Sequence, residues 1–232
     1  MNGWLVRAEG LIPYAAASEA MHELAERRLA GRIPDTLVLL EHPPVFTAGR
    51  RSRPEHLLWD EERIRARGGR VFEADRGGSF TFHGPGQLVG YPILDLGLRP
   101  DVIGYLRRLE EVAIRAAADI GVEVGRDRKQ TGVWARDRKV CAIGIKLMRA
   151  RVTLHGFAIN CTTDLSWFEA IVPCGLPDRG VTSLSELAGR NITVGEMAPL
   201  VGSHFKQVFG HSLQPVNPSG AFADSVPEPA AV

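Results

Sequence analysis

Two residues of this 232-residue chain suit group-transfer chemistry: Lys139, and Cys174, which lies between a proline and a glycine. Two apolar segments join them, and we expect these segments to form neighbouring strands. A thiol with the ordinary pKa of about 8.5 is only a few per cent thiolate at neutral pH, so a nucleophilic cysteine needs a base or a cation beside it. Lysine can fill either role. The pair predicts covalent catalysis if the fold brings the two side chains together.

The remaining cysteines and the histidines give little support for a metal site. Cys141, Cys161 and Cys174 have no C-x-x-C spacing, and the seven histidines form no H-E-x-x-H or paired H-x-x-x-H pattern. We therefore expect no metal and reduced thiols. On residue type alone, each of the three cysteines, Cys174 included, can also be interpreted as a small buried hydrophobe with no chemical role.

Composition and charge argue against several classes of function. Hydrophobic residues make up 44% of the chain and charged residues 24%, as in ordinary soluble globular proteins. The net charge of +1 argues against electrostatic binding of nucleic acid. No apolar run approaches the roughly 20 residues that cross a bilayer, and the N-terminus lacks a basic segment followed by an apolar one. We expect a cytoplasmic protein with no membrane partner.

The length predicts one domain, because a chain of 232 residues can bury a substantial core without needing a second. From Pro215 onward the sequence is rich in proline, alanine and serine and has little to bury. We expect a single domain over residues 1–214 and a disordered tail over residues 215–232.

Hydrophobic spacing predicts an α+β fold, a mixed sheet with flanking helices mainly to one side, because helices and strands do not alternate strictly. Thr36–Leu40 is apolar throughout, which predicts a strand buried on both faces. Residues 47–51 are expected to form a loop. The other predicted strands are Trp4–Ala8, Val71–Ala74, Tyr91–Leu96, Val122–Val124, Gly132–Ala135, Val140–Met148 and Thr153–Asn160. The predicted helices are residues 13–31, 60–67, 101–121 with Asp101 as N-cap, 165–170, and two that follow the capping boxes Ser183-x-x-Glu186 and Thr193-x-x-Glu196.

The segment from Asp75 to Leu88 has the most unusual local composition, with four glycines within ten residues. Glycine permits positive φ and a close approach of the backbone to another group. The composition supports two interpretations equally: a plain β-hairpin, or a loop that contacts a ligand. Neither the dinucleotide-binding fingerprint nor a P-loop is present in the chain.

Five ordered blocks carry a family resemblance that covers about residues 4 to 210. They are Glu41-His-Pro-Pro-Val-Phe-Thr-Ala-Gly-Arg50, Arg76-Gly-Gly-x-x-Thr-Phe-His-Gly-Pro-Gly-Gln87, Lys139-Val-Cys-Ala-Ile-Gly144, His155-Gly-Phe-Ala-Ile-Asn160 and Pro173-Cys-Gly175. With these blocks the sequence resembles the octanoyltransferases of lipoate biosynthesis, the lipoate-protein ligase B type.

The resemblance implies the biotin/lipoate protein ligase fold and the transfer of octanoyl from acyl carrier protein to a lysine of a lipoyl domain. The recipients would be lipoyl domains of 2-oxoacid dehydrogenase complexes and the glycine cleavage H protein, and no cofactor is expected. The nucleophile maps onto Cys174 and its activating lysine onto Lys139. The substrate-binding positions map onto Arg76, Gly77, Gly78, Ser79, Phe80, Thr81, Phe82, His83, Ala142, Ile143, Gly144, Gly156, Phe157 and Ala158.

The sequence departs from the family pattern at two points. Phe82 stands where the family more often has tyrosine, so no proton transfer can rest on that position. The pair Ser79-Phe80 is bulkier than expected, which bears on the shape of the acyl pocket. His83 and His155 are not assigned to catalysis, since either can be satisfied by backbone or act behind the site.

Elementary chemistry agrees with a thioester donor, because its acyl group is already activated and no ATP is needed. Thiol attack on a thioester is near balanced, since a thiolate both enters and leaves. Two other functions remain compatible with the residues. One is a lipoate or biotin ligase of the same fold, which activates a free acid with ATP. The other is a non-catalytic lipoyl- or acyl-binding module in which Cys174 only packs.

Overall fold

The computed structural model describes residues 2–172 and 179–216. Within these ranges the strands are β1 (Asn2–Leu11), β2 (Asp35–Glu41), β3 (Val45–Ala48), β4 (Arg70–Glu73), β5 (Phe80–His83), β6 (Gln87–Ile93), β7 (Gly125–Arg126), β8 (Val133–Ala135), β9 (Arg138–Met148), β10 (Val152–Asn160), β11 (Gly180–Val181) and β12 (Ser212–Val216). The helices are α1 (Tyr14–Leu29), α2 (Glu61–Ala66), α3 (Val102–Asp119), α4 (Leu184–Ala188) and α5 (Val194–Phe209), with 3₁₀ turns at Pro54–His56 and Leu165–Ala170.

The described strands form two sheets. The larger is mixed, in the order β12-β1-β2-β6-β10-β9-β8-β7, and β11 pairs with β9 off this path. β1 is parallel to β2 and β12, whereas β2, β6, β10 and β9 pair antiparallel in succession. The smaller sheet has the order β4-β3-β5. The predicted mixed sheet is confirmed, and so is the expectation that β9 and β10 are neighbours.

Strand β2 lies at the centre of the molecule because both of its faces are apolar. Leu37 and Leu39 join the core cluster that also contains residues of α3 and α5, whereas Val38 and Leu40 join the cluster of α1. Burial on both faces, as predicted, therefore reflects a sheet with helices on each side. α3 and α5 pack against each other on one face, and α1 covers the other.

Local capping signals were reliable guides to the helix starts. Asp101 accepts from the backbone N–H of Gly104 at the start of α3. Ser183 and Thr193 likewise cap α4 and α5 through the backbone N–H groups of Glu186 and Glu196. A side-chain oxygen at the N-cap satisfies one of the N–H groups that a helix start leaves without a partner.

Two local predictions were wrong. Thr47 and Ala48 belong to strand β3, since pairing with β4 and β5 in the smaller sheet extends the backbone there. Residues 122–124 form no strand, because the Val122 N–H bonds the Ala117 carbonyl as the chain leaves α3. Of the two interpretations of residues 75–88, the plain hairpin is excluded, since β5 and β6 lie in different sheets.

The C-terminal part of the described chain extends the large sheet. β12 runs parallel to β1 and reaches Val216, two residues into the segment expected to be a tail. Residues 217–232 lie outside the described ranges.

Candidate active site

An open pocket of about 710 Å³ collects residues of the family blocks at one face of the large sheet. β9 and β10 contribute one wall, and β5 with the loop before it contributes another. The volume falls within the range of roughly 300–1,000 Å³ that is usual for small-molecule sites. The predicted substrate-binding positions that line it are Arg76, Gly77, Gly78, Ser79, Phe80, Thr81, His83, Ala142, Ile143, Gly144, Gly156, Phe157 and Ala158, and Lys139 lines it too.

Small residues make the hollow in the sheet face. Ala142 lies directly opposite Ala158, and Gly144 directly opposite Gly156, in the antiparallel ladder of β9 and β10. Side chains of directly opposed residues lie on the same face of a sheet. Ala142 and Ala158 each carry one side-chain carbon, which leaves room above this pair for an apolar chain. The glycines instead admit neighbouring atoms, since a Cβ on Gly144 or Gly156 would meet other parts of the backbone.

The wall opposite this patch is a glycine loop held by Arg76. Its guanidinium is buried and donates to the Thr47 carbonyl at 2.6 Å, the Thr47 hydroxyl at 2.7 Å, and the carbonyls of Ser79 at 2.8 Å and Gly77 at 3.0 Å. Five N–H groups in a rigid planar fork can satisfy several carbonyls at once. Arg76 therefore fixes the shape of the Gly77-Gly78 loop.

Two glycines in this wall are required by geometry. Gly78 has φ of +90°, which side chains with a Cβ rarely adopt. A Cβ on Gly144 would meet the Gly77 carbonyl oxygen at 3.2 Å and Arg76 Cδ at 3.2 Å. The loop consequently lies directly over strand β9, and the Gly77 N–H bonds the Ile145 carbonyl at 3.0 Å.

Lys139 is buried at the pocket wall on β9. Its Nζ lies 4.6 Å from the centroid of the Trp134 ring, and the Arg179 guanidinium lies 4.9 Å from the same ring. The face of an indole attracts cations. Arg179 is further held by Asp127 at 2.7 Å.

Cys174, the predicted nucleophile, lies outside the described residues. The chain on either side of residues 173–178 is anchored at the pocket. The Val172 N–H bonds the carbonyl of His56, which lines the pocket. On the other side, Val181 pairs with Lys139, and the Thr182 N–H bonds the Lys139 carbonyl at 3.0 Å.

Cys141, on β9, and Cys161, one residue past the end of β10, are small buried hydrophobes. Both are fully buried in the core that faces α3 and α5, and neither lines the pocket. Burial raises the pKa of each thiol to about 12. Neither forms a thiolate near neutral pH, so both are unsuited to nucleophilic attack.

Phe82 is the one predicted substrate-binding residue that does not line the pocket. Its ring stacks on Trp167, with centroids 5.2 Å apart and an interplanar angle of 10°. It belongs to a cluster of aromatic rings under the smaller sheet, which includes Phe46 and Phe168. Its neighbours Thr81 and His83, which line the pocket, point to the opposite face of β5.

Polar rings that sequence reasoning left unassigned also line or support the pocket. His42 donates from Nδ1 to the Ile12 carbonyl at 2.6 Å and accepts at Nε2 from the Tyr91 hydroxyl at 2.8 Å. Burial lowers the pKa of His42 to about 4, so it is neutral at pH 7. Burial also raises the pKa of Tyr14 in the pocket wall to about 12.

Asp75 ties three elements together at the edge of the pocket. It accepts from His155 Nε2 at 2.6 Å, from His22 Nε2 at 3.2 Å, and from Lys146 Nζ. The bond from His155 is the main reason that the pKa of Asp75 falls below its ordinary value. His155 itself adopts a left-handed φ of 59° on β10. No sequence motif indicates this cluster, because its members are brought together from α1, β9, β10 and a loop.

The described pocket lining is positively charged. It contains five arginine or lysine residues, namely Arg51, Arg53, Arg76, Lys129 and Lys139, and no aspartate or glutamate. The side chain of Arg53 is 71% exposed and pairs only loosely with Glu55, at 3.8 Å. The three exposed cations, Arg51, Arg53 and Lys129, form a rim that favours negatively charged partners.

The described residues contain neither a metal-binding cluster nor a membrane-spanning helix. In that part of the chain, no group of three or more histidine, cysteine, aspartate or glutamate side chains is arranged to hold a metal ion. Nor does any described helix have the length and apolar character needed to cross a membrane.

Comparison with known proteins assigns the family. The family model of the lipoyl protein ligase A/B catalytic domain matches residues 13–206. The octanoyltransferase of Rubrobacter xylanophilus is 52% identical over 205 residues, which cover 88% of this chain and 92% of that protein.

Solved structures share the fold at low sequence identity. A lipoate-protein ligase A bound with ATP superposes with a TM-score of 0.77 at 15% identity, covering 95% of this chain and 90% of the other. A biotin protein ligase from Aquifex aeolicus superposes with a TM-score of 0.54 at 14% identity, covering 90% of this chain and 70% of the other. The predicted fold class is confirmed.

Proposed function

The chain belongs to the lipoyl protein ligase A/B catalytic-domain family, and we propose that it is an octanoyltransferase that moves octanoyl from acyl carrier protein to a lipoyl-domain lysine. The observation that carries this proposal is the shared pocket. Thirteen of the fourteen positions expected to bind substrate line it together with Lys139.

The apolar part of the pocket suits the octanoyl chain. Burial at about 0.8 kcal/mol per methylene gives roughly 5 kcal/mol of gross binding for an eight-carbon acyl group. The Ala142–Ala158 pair supplies the hollow for it. The glycine loop of residues 77 and 78 closes over this hollow from the other side.

Cys174 carries the acyl group between the two substrates. In the first step the Cys174 thiolate attacks the thioester carbonyl carbon, its C–S bond forms, and the carrier sulfur leaves with the electron pair. In the second step a lysine amine attacks, the C–N bond forms, and the Cys174 C–S bond breaks. One amine proton is released, so the products are an amide and, after protonation of the sulfur, the free thiol. The amide makes this second step favourable.

Lys139 acts on Cys174 as a cation. The Lys139 Nζ lies 4.6 Å from the centroid of the Trp134 ring, and the face of an indole attracts a cation. An ammonium next to the thiol lowers the pKa of the thiol and raises the thiolate fraction. The anchoring of Val172 and Val181 near the pocket supports this placement of Cys174 beside Lys139.

The donor and acceptor proteins match the charge of the site. The exposed rim of Arg51, Arg53 and Lys129 suits an acidic acyl carrier protein. The acceptors are lipoyl domains of 2-oxoacid dehydrogenase complexes and the glycine cleavage H protein, and the reaction takes place in the cytoplasm.

Intact-protein mass spectrometry tests the proposal. Incubation with octanoyl carrier protein should add one octanoyl group to the native chain and to Cys141→Ala, and none to Cys174→Ala. Cys174→Ser should be poorly acylated, because a hydroxyl is far harder to ionise than a thiol. Transfer by Cys174→Ala would refute the covalent route, and product from free octanoate plus ATP would assign a ligase instead.

A further inference from the structure

His83 presents a hydrogen-bond acceptor to the pocket, and its orientation is set by a chain of four hydrogen bonds. His83 Nδ1 meets Gln87 Oε1 at 2.7 Å, and Gln87 Nε2 meets Asn160 Oδ1 at 2.8 Å. Asn160 Nδ2 meets the Thr182 carbonyl at 3.0 Å, and the Thr182 N–H meets the Lys139 carbonyl at 3.0 Å. The chain links His83 to the strand that carries Lys139.

Backbone carbonyls fix the direction of every bond in this chain. Gln87 Nε2 also faces the Phe82 carbonyl at 3.1 Å, which can only accept, so this end of the amide must be the NH₂ group. The Thr182 carbonyl fixes Asn160 in the same way. Gln87 Oε1 is left to face His83, so His83 Nδ1 must carry the proton.

The second ring nitrogen of His83 therefore carries a lone pair. Among the described residues Nε2 has no hydrogen-bond partner, and it is not closed off from the pocket that His83 lines. The nearby ring of His42 uses both nitrogens elsewhere, on Ile12 and Tyr91. Burial lowers the pKa of His83 to about 3, which keeps this lone pair available at neutral pH.

The chemistry of the reacting groups selects the partner of this lone pair. A thioester, an acyl chain and a thiolate carry no hydrogen-bond donor, whereas an amine carries N–H groups. We propose that His83 Nε2 accepts a hydrogen bond from the lysine amine that attacks octanoyl-Cys174, an inference that rests on the proposed function. Holding one N–H in this way aims the nitrogen lone pair at the carbonyl carbon.

His83 acts by positioning the nucleophile and remains neutral throughout. The C–N bond forms as the C–S bond breaks, the electron pair leaves on the Cys174 sulfur, and the amine proton passes to that sulfur or to solvent. With a pKa of about 3, His83 is too weak a base to hold that proton. The half-reaction with a thiol nucleophile has no N–H to position, so it should not depend on His83.

The test compares two nucleophiles on the same acyl-enzyme. The octanoyl-Cys174 enzyme is discharged by a lipoyl domain or by the thiol of holo carrier protein, in the native chain, His83→Phe, His83→Asn and a His204→Gln control. His204 pairs with Asp119 outside the pocket lining. We expect discharge by lysine to slow about tenfold in both His83 variants, as for the loss of one hydrogen bond. Discharge by the thiol and the His204→Gln rates should stay within about twofold of the native values.

Nitrogen-15 NMR of the native enzyme gives a readout that needs no variant. It should show His83 with Nδ1 protonated and Nε2 unprotonated throughout the neutral range. Protonated Nε2, equal slowing of the thiol and lysine discharges, or unchanged lysine discharge would each overturn the role of His83 while leaving the octanoyltransferase intact. Failure of the native enzyme to form octanoyl-Cys174 at all would remove the proposed function and the inference with it. If His83→Phe does not fold, His83→Asn, which keeps a donor for Gln87, decides.

Discussion

Replacing Arg76 separates a structural role from direct substrate contact. The sequence placed Arg76 among the substrate-binding residues, yet its guanidinium donates to three carbonyls and to the Thr47 hydroxyl. Arg76→Ala removes these donors. The carbonyls of Thr47 and Ser79, whose bonds to Arg76 are buried, lose a partner that water cannot readily replace.

The magnitude follows from these bonds. A buried acceptor left without a partner costs about 1–3 kcal/mol. The Thr47 carbonyl loses Arg76, whereas the Ser79 carbonyl keeps the Gly49 N–H at 3.3 Å, so we expect Arg76→Ala to lose about 1–3 kcal/mol. This is a sizeable part of the 5–15 kcal/mol that is typical of a whole domain. Arg76→Lys keeps the charge, but a single ammonium cannot span all the acceptors that a guanidinium fork reaches, so we expect a smaller loss than in Arg76→Ala.

Urea unfolding followed by circular dichroism measures these losses of unfolding free energy. The KM for octanoyl carrier protein reports whether the Gly77-Gly78 loop keeps its shape. KM should rise in both variants, because the Gly77-Gly78 wall loses its support. Arg65→Ala is a matched control, since its side chain is 66% exposed and pairs only within α2, at 3.3 Å. An Arg76→Ala protein as stable as the native chain would contradict the structural role. A raised KM with unchanged stability would instead favour direct contact with substrate.

Three further predictions concern charge. Lys139→Arg keeps a fixed cation and should retain some acyl-Cys174 formation, whereas Lys139→Ala should lose both half-reactions; both steps are measured by rapid-quench mass spectrometry. Raising salt should lower the second-order rate with octanoyl carrier protein, and Arg51→Gln with Arg53→Gln should weaken that salt dependence through loss of the rim. Burial lowers the pKa of His42 to about 4 and of His83 to about 3. Because the unfolded state takes up both protons below about pH 6.5 and the folded state does not, unfolding free energy should fall as pH is lowered from there to about 4.

Each of these predictions has a control and a contrary result. Loss of acyl-Cys174 formation in Lys139→Arg as complete as in Lys139→Ala would contradict the role of Lys139 as a cation, whereas near-native turnover by Lys139→Arg would show that a fixed charge suffices. Arg149→Gln is the matched control for the rim, since Arg149 is exposed but does not line the pocket; a rate independent of salt would argue against steering. A native protein whose unfolding free energy is flat over that pH window, in urea titrations, would contradict two neutral buried histidines.

A second pair of arginines, Arg149 and Arg151, lies between strands β9 and β10 and does not line the pocket. Arg151 forms a two-pronged ion pair with Asp95, with both N–O distances 2.6 Å. Its charge is thus partly neutralised, away from the pocket. Among the described residues, the rim arginines Arg51 and Arg53 have no carboxylate partner as close as this, and Arg53 lies 3.8 Å from Glu55.

The sequence by itself determined the features that interactions between neighbouring residues control. Asp101, Ser183 and Thr193 mark helix starts because a short side-chain oxygen reaches a backbone N–H within the same turn. The unbroken apolar run of β2 predicts a central strand, since no exposed face tolerates it. The five blocks likewise indicate the family, because their residue types and order are visible without coordinates.

Only the tertiary structure decided how those residues act. β5 and β6 follow each other with three residues between them, yet pairing with distant strands places them in separate sheets. Arg76 was expected at the substrate and lines the pocket, and the carbonyl of Thr47, 29 positions away along the chain, also holds its guanidinium. The proton on His83 depends on Asn160 and Thr182, and Asp75 gathers partners from three elements. Hydrogen bonds and burial between residues far apart in sequence set these properties, and no local pattern of residue types encodes them.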